Sequence, residues 1–183
     1  MVLLESKTID LGALMPNFNL YDVDQHSHSK DSLMGENGLL IIFTCNHCPY
    51  AIAIWDRLIA LDAVAKQNGI NIVAINPNIH PNYPDDAPEK MREKRDEWGI
   101  PFPYLIDQDQ SVAKAYDAQC TPDLYLLDRD SKLRYHGRLD DNWREPSQVT
   151  KEELKSAIIN LGSGNPISTD QFPSMGCSIK WQD

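Results

Sequence analysis

The 183-residue chain is 42% hydrophobic and 24% charged, the balance of a soluble globular protein long enough to bury a core without metal or disulfide staples. Its formal net charge of −10, with Lys and Arg scattered rather than striped, argues against nucleic acid and anionic membranes as partners. The longest strongly apolar run, Leu39–Phe43, is too short to span a bilayer, and Met1-Val-Leu-Leu-Glu lacks the regions of a secretory leader. A reducing cytoplasm is therefore the expected compartment, where a close cysteine pair points to catalysis or metal rather than to a structural cross-link.

Pro16–Tyr21 reads as the start of a strand, and the polar stretch Asp22–Ser29 as a hairpin across it. A helical turn is expected over Asp31–Met34 with Asp31 as its cap. Gly38–Thr44 is continuously apolar up to its last residue, the pattern of a strand covered on both faces, and it ends at Cys45. Ala51, Ile54, Leu58, Leu61 and Ala65 then recur at helical spacing until Asn68-Gly69. Ile70–Ile75 reads as a second buried strand, 76–88 as a proline-rich loop, and Glu89–Trp98 as a helix. Strands follow at Pro103–Ile106, Leu124–Leu127 and Lys132–Tyr135, with helices at Ser111–Asp117 and Glu152–Leu161. The reading is one α/β domain over 1–183: a core of about 36–161 with a mixed sheet flanked by helices, an N-terminal extension 1–35 carrying the hairpin, and a tail 162–183 without periodicity.

Cys45-Asn-His-Cys48 is a Cys-x-x-Cys at the point where a strand hands over to a helix. That spacing brings both thiols within bonding reach, and a helix N-terminus favours thiolate. Cys45 is the expected nucleophile and Cys48 the resolving thiol, with Pro49 suited to the first turn. His47 inside the pair is placed to stabilise the thiolate; the plain alternative is a ring facing solvent. A zinc site would need two further ligands, and no second Cys-x-x-Cys or His-x₃-His is present, so metal binding ranks third among the readings and no metal ligand is assigned.

The strand–Cys-x-x-Cys–helix unit resembles the thioredoxin superfamily. Phe43–Tyr50, Tyr83–Met91, His136-Gly-Arg138 and Pro173–Trp181 together resemble the peroxiredoxin-like, redoxin-type bacterial proteins of the AhpC/TSA group. The resemblance implies a thioredoxin-like fold, a cis-proline at Pro122 facing the cysteine pair, and Thr121 lining the substrate groove. It also implies thiol–disulfide exchange through a redox-active Cys45–Cys48 disulfide with no other cofactor. A protein or small-molecule disulfide would be the substrate and a thiol the electron donor; a homodimer is compatible with it. The chain departs from thioredoxin, whose tryptophan before the first cysteine and buried acid six residues before it are here Thr44 and Leu39. Nor does the peroxiredoxin pattern Pro-x-x-x-Thr/Ser-x-x-Cys fit, since counting back from Cys45 gives Ile42 and Gly38, and from Cys48 gives Cys45 and Ile41. A thiol peroxidase or peroxide sensor is therefore the second reading.

Cys120, next to Thr121-Pro122, is either a third redox thiol or a small packed residue. Cys177, in a tail with hydrophobic anchors at Ile179 and Trp181, is either an alternative resolving partner or a buried inert thiol. Asp85 and Asp86, close to Glu89, read as a solvated cap for the helix that follows.

Overall fold

All six residues of Gly38–Phe43 are buried, as a strand covered on both faces requires. The structure is a computed structural model and describes residues 2–182. In chain order its elements are β1 (Leu3–Glu5), β2 (Asn19–Asp22), β3 (Ser27–Ser29), α1 (Lys30–Leu33), β4 (Gly38–Phe43), α2 (Pro49–Ile52), α3 (Trp55–Gln67) and β5 (Ile70–Asn76). They continue with α4 (Pro88–Trp98), β6 (Tyr104–Ile106), α5 (Ser111–Ala115), β7 (Cys120–Thr121), β8 (Asp123–Asp128), β9 (Leu133–Gly137), α6 (Glu153–Gly162) and β10 (Met175–Ser178).

A seven-stranded sheet runs in the order β3-β2-β6-β5-β4-β8-β9. It is mixed, with β4 parallel to β5 and antiparallel to β8. Successive side chains of a strand point to opposite faces. On β4, Leu40 and Ile42 accordingly pack with Trp55 and Leu58 of α3 and with Leu154 and Ile158 of α6. Leu39, Ile41 and Phe43 pack on the other face with Leu33, Val112 and Tyr116. Each buried Leu or Ile contributes roughly 1.5–3 kcal/mol. A one-residue slip of β4 would exchange its two faces, so this pattern fixes the register and with it the height at which Cys45 leaves the sheet.

Three features differ from the sequence expectation. The helix read through Ala51–Ala65 is two helices, broken at Ala53-Ile54, where the Ile54 N–H bonds Ala51 O and the Leu58 N–H bonds Ile54 O. The apolar spacing continues across the break because Ala51, Ile54 and Leu58 are all buried. The hairpin is not an appendage: β2 pairs with β6, Tyr21 opposite Ile106 and Asp22 opposite Leu105, which adds two strands to the main sheet. Its short helix is capped by Ser29 rather than Asp31, in a capping box with Ser32. Finally, the tail contains β10, the middle strand of a second sheet ordered β1-β10-β7. β1 and β7 were not expected from the sequence, and the remaining predicted elements start and stop within two residues of their predicted bounds. Among the described residues no helix is long and apolar enough to cross a membrane.

Candidate active site around Cys45 and Cys48

β4 delivers Thr44 and Cys45 at the end of the buried sheet, and α2 opens with Cys48 as its N-cap and Pro49 in the first turn. Both cysteines face β7. Cys45 Sγ lies 3.2 Å from the Thr121 hydroxyl, and the Cys48 thiol donates to the Thr121 carbonyl at 3.1 Å. The Thr121–Pro122 peptide bond is cis. On the far side of Cys48 stands Cys177 of β10, the two sulfurs 2.8 Å apart. All four cysteines are buried. Cys120 is turned to the Pro122 carbonyl, 3.7 Å from its sulfur, and burial pushes its thiol well above the ordinary range.

The surroundings of the two motif thiols are unequal. Burial first, then the neighbouring Cys48 and the carboxylate of Asp86, push Cys45 well above the usual thiol range, against a smaller opposing effect of the Thr121 hydroxyl. Cys48 is held below that range, first by hydrogen bonding with Cys45 and then by Cys177 and the Ala51 and Cys177 backbone, against the cost of its burial. Hydrogen bonds accepted by the charged form favour it. The spacing of the motif points to Cys45 as the nucleophile, whereas the surroundings of the reduced pair favour the charged form at Cys48, which lies next to the start of α2 at Pro49 and has the Ala51 backbone among its partners. Cys177 is pushed up to about 12 by burial and by its neighbour Cys48.

Asp86 is not the solvated cap expected from the sequence. A 3₁₀ turn at Pro84–Asp86 carries it beneath the motif, where it is fully buried. One carboxylate oxygen accepts from the Asn46 N–H (2.6 Å) and from Asn76 Nδ2 (3.0 Å), and the other pairs with His47 Nδ1. The His47 ring stacks on Tyr83, centroids 5.0 Å apart. With Nδ1–H given to Asp86, Nε2 is left as the acceptor; it is buried and without a hydrogen-bond partner among the described residues. Cys45 Sγ, a His47 ring nitrogen and an Asp86 oxygen lie within 4.8 Å of one another. A buried acid thus reaches the pair from a different loop, not from the position of Leu39. A usable signal was present: β5 runs parallel to β4, so the loop after β5 emerges at the same edge of the sheet as the cysteine pair. Asn46 is fixed by the Asp85 carbonyl and the Tyr104 hydroxyl, so both residues inside the motif are held from outside it.

The Cys45, His47 and Asp86 group could also hold a metal ion, as could Asp22, Asp24 and His26 at the hairpin. In the first, Asp86 already faces three N–H donors, and in the second, Asp22 already pairs with His26 and His28. Beside Pro122 a cavity of about 250 Å³ is lined by Ile54, Leu124, Trp143, Phe172 and Met175. Trp143 packs on Tyr50, two residues after Cys48, with centroids 4.1 Å apart.

Known proteins resemble this chain to different degrees. The structure superposes on that of an uncharacterized conserved protein from Geobacillus kaustophilus with a TM-score of 0.94 at 42% identity, covering 100% of this chain and 97% of that one. It superposes on the thioredoxin domain of a thiol-disulfide oxidoreductase from Bacteroides vulgatus with a TM-score of 0.61 at 15% identity, covering 86% and 98%, which establishes the thioredoxin-like fold. Over 130 residues the sequence is 25% identical to the thiol-disulfide oxidoreductase ResA of Geobacillus kaustophilus (strain HTA426), 71% of this chain and 70% of that one. The ResA relative supports an oxidoreductase role. The sequence profile of the AhpC/TSA family matches residues 11–136, the span from before β2 to within β9 that holds both motif cysteines, Asp86 and Thr121-Pro122, and the chain belongs to that family.

Proposed function

We propose that this chain is a dithiol–disulfide oxidoreductase in which Cys48 attacks and Cys45 resolves. The observation that carries the reading is the unequal pair: a thiol favoured as thiolate beside a buried thiol that has a His47 ring nitrogen and an Asp86 oxygen within 4.8 Å. Cys48 thiolate attacks one sulfur of a substrate disulfide, forming a mixed disulfide and expelling the other half as thiolate. Cys45 then loses its proton toward the His47–Asp86 pair and attacks Cys48. The Cys45–Cys48 bond forms, and the second half of the substrate leaves reduced.

A thiol donor returns the pair to the dithiol by the same steps reversed, and a cytoplasmic thiol pool is the donor this reading calls for. The Thr121 backbone would align the substrate chain, and the apolar cavity beside Pro122 would receive a neighbouring side chain. The test is a titration against glutathione buffers, with differential alkylation assigning each cysteine. A reversible Cys45–Cys48 couple is the expected result. If no such couple forms, and peroxide instead drives Cys48 to a sulfenic acid and is consumed with a thiol donor, exchange is the wrong reaction and peroxidase chemistry replaces it.

A further inference from the structure

The main chain on either side of Cys177 lies against the residues that would align a substrate. β10 runs antiparallel to β7, with Cys177 opposite Thr121 and Ser178 opposite Cys120. Its sulfur sits 2.8 Å from Cys48 Sγ, where the sulfur of a substrate would have to arrive. The approach is so close that a Cβ on Gly176 would stand 2.0 Å from the Thr121 carbonyl oxygen and 3.1 Å from Pro122 Cδ. Only a residue without a side chain passes at that position. The other edge of β10 is taken by β1, with Leu3 opposite Cys177.

We propose that β10 is a built-in substrate strand, whose Cys177 forms a disulfide with Cys48 that Cys45 opens. The inference rests on the exchange reading above and extends it to the tail and to the substrate class. In the step, Cys45 thiolate attacks Cys48 Sγ of the Cys48–Cys177 bond. The Cys45–Cys48 bond forms, the Cys48–Cys177 bond breaks, and Cys177 leaves with the electron pair and takes up the proton lost by Cys45. No net oxidation occurs, so the same oxidising equivalent is held either across the motif or between the motif and the tail.

Two consequences follow from the geometry. With β10 in place no external chain reaches Cys48, so turnover on a peptide requires the tail to lift. A peptide that then takes the same register presents an extended segment in which the disulfide-bonded cysteine is preceded by glycine.

The decisive experiment uses the full chain with Cys45→Ser, reduced and then exposed to oxidised glutathione. Glutathione first adds to Cys48. Cys177 is expected to displace it, so that non-reducing peptide mapping finds a Cys48–Cys177 disulfide and no retained glutathione. Glutathione persisting on Cys48 while Cys177 remains open to alkylation would overturn the proposal. Gly176→Ala in the same background is expected to slow that displacement by about tenfold, since ring closure depends on the approach of the thiol. An unchanged rate would remove the register argument. In the unmutated protein at equilibrium with glutathione, both disulfides are expected, and absence of the Cys48–Cys177 form counts against the proposal. The underlying reading is tested apart from the tail in Cys177→Ser. If Cys45–Cys48 fails to form there while Cys48–Cys177 forms in Cys45→Ser, the exchange reading falls and the internal disulfide stands.

Discussion

The turn at Cys45–Cys48 and strand β10 meet at one sulfur, yet they are held there by different means. The turn continues directly from β4, whose side chains are buried on both faces of the sheet, and its two inner residues are fixed by Asp85, Asp86 and Tyr104. β10 arrives from 129 residues further along the chain. It is held by short ladders to β1 and β7, by Ile179 in the core, and by bonds at its ends that include Ser174 to Gly137, Ile179 to Gln119, Lys180 to Asn78 and Gln110, and Gln182 to Ile79. The first segment cannot move without breaking the central sheet, whereas lifting the second breaks edge ladders and withdraws one core residue, Ile179. Local opening of this kind is set by how little buried surface and how few bonds a segment carries. A site that must keep its thiols exact and still admit a substrate is served by that division.

Removing the sulfur the two segments share gives the largest effect. Cys48→Ser is expected to lower exchange activity by at least about 10³-fold, as loss of an attacking group does in other enzymes. Cys177→Ser, which removes only the tail's contribution, should change the rate far less. Steady-state reduction of glutathione disulfide measures both. Comparable losses in the two variants would mean that the tail thiol is itself the attacking group.

Asp86→Asn tests whether the fixed side of the comparison carries the proton acceptor. Attack by Cys48 should persist while resolution by Cys45 slows by about 10- to 100-fold, the usual range for lost acid–base assistance. The mixed disulfide then accumulates and is trapped by acid quench. Removing the carboxylate relieves one cause of the raised Cys45, but burial, the largest cause, still holds it above the ordinary thiol range, so the variant regains resolution as pH rises, whereas the parent is less dependent on alkali. A uniform loss at all pH values would assign Asp86 a structural role only.

These two segments also differ in how far they were legible in the sequence. The apolar run Gly38–Phe43, the Cys-x-x-Cys and the helical spacing after it are local patterns, and local patterns are what periodicity reports. They yielded the fold and the place of the pair. The surroundings that distinguish the two cysteines were not local: Asp86 beside Cys45 and Cys177 beside Cys48 come from distant parts of the chain. Asp86 escaped because a carboxylate in a proline-rich loop has no period, and its partners Asn46, His47 and Asn76 come together only once β4 and β5 are side by side. β10 escaped for the same reason more strongly. Four residues, Met-Gly-Cys-Ser, show no alternation, and their pairing partners lie at the chain's beginning and at Cys120–Thr121.

Labelling of the reduced protein sharpens the assignment of the thiolate. Cys48 is held below the ordinary thiol range, while Cys45, Cys120 and Cys177 are raised above it. At pH 7, iodoacetamide should therefore modify Cys48 about tenfold or more faster than any other cysteine, since the thiolate is the reacting form. Its labelling should fall only as pH drops through its lowered pKa, not near the usual value of about 8.5. First labelling at Cys45 would restore the roles that the motif spacing alone assigned.

The smallest expected effect concerns the tail's anchor. The Ser174 hydroxyl is buried and donates to the Gly137 carbonyl at 2.6 Å, just before β10 begins, while the Ser174 carbonyl accepts from the Ser6 N–H. Ser174→Ala removes the first bond and leaves the second, so the tail keeps its path with one tie fewer. A neutral hydrogen bond of this kind contributes about 1 kcal/mol, which corresponds to a roughly fivefold larger population of the lifted tail. Global unfolding should move little, because β9 keeps its ladder to β8. Cys48 labelling and amide exchange at Gly176–Ser178 should both rise about fivefold, in step. If exchange at β10 rises and Cys48 labelling does not, the tail and the thiol open independently, and access to Cys48 is controlled by some element other than β10.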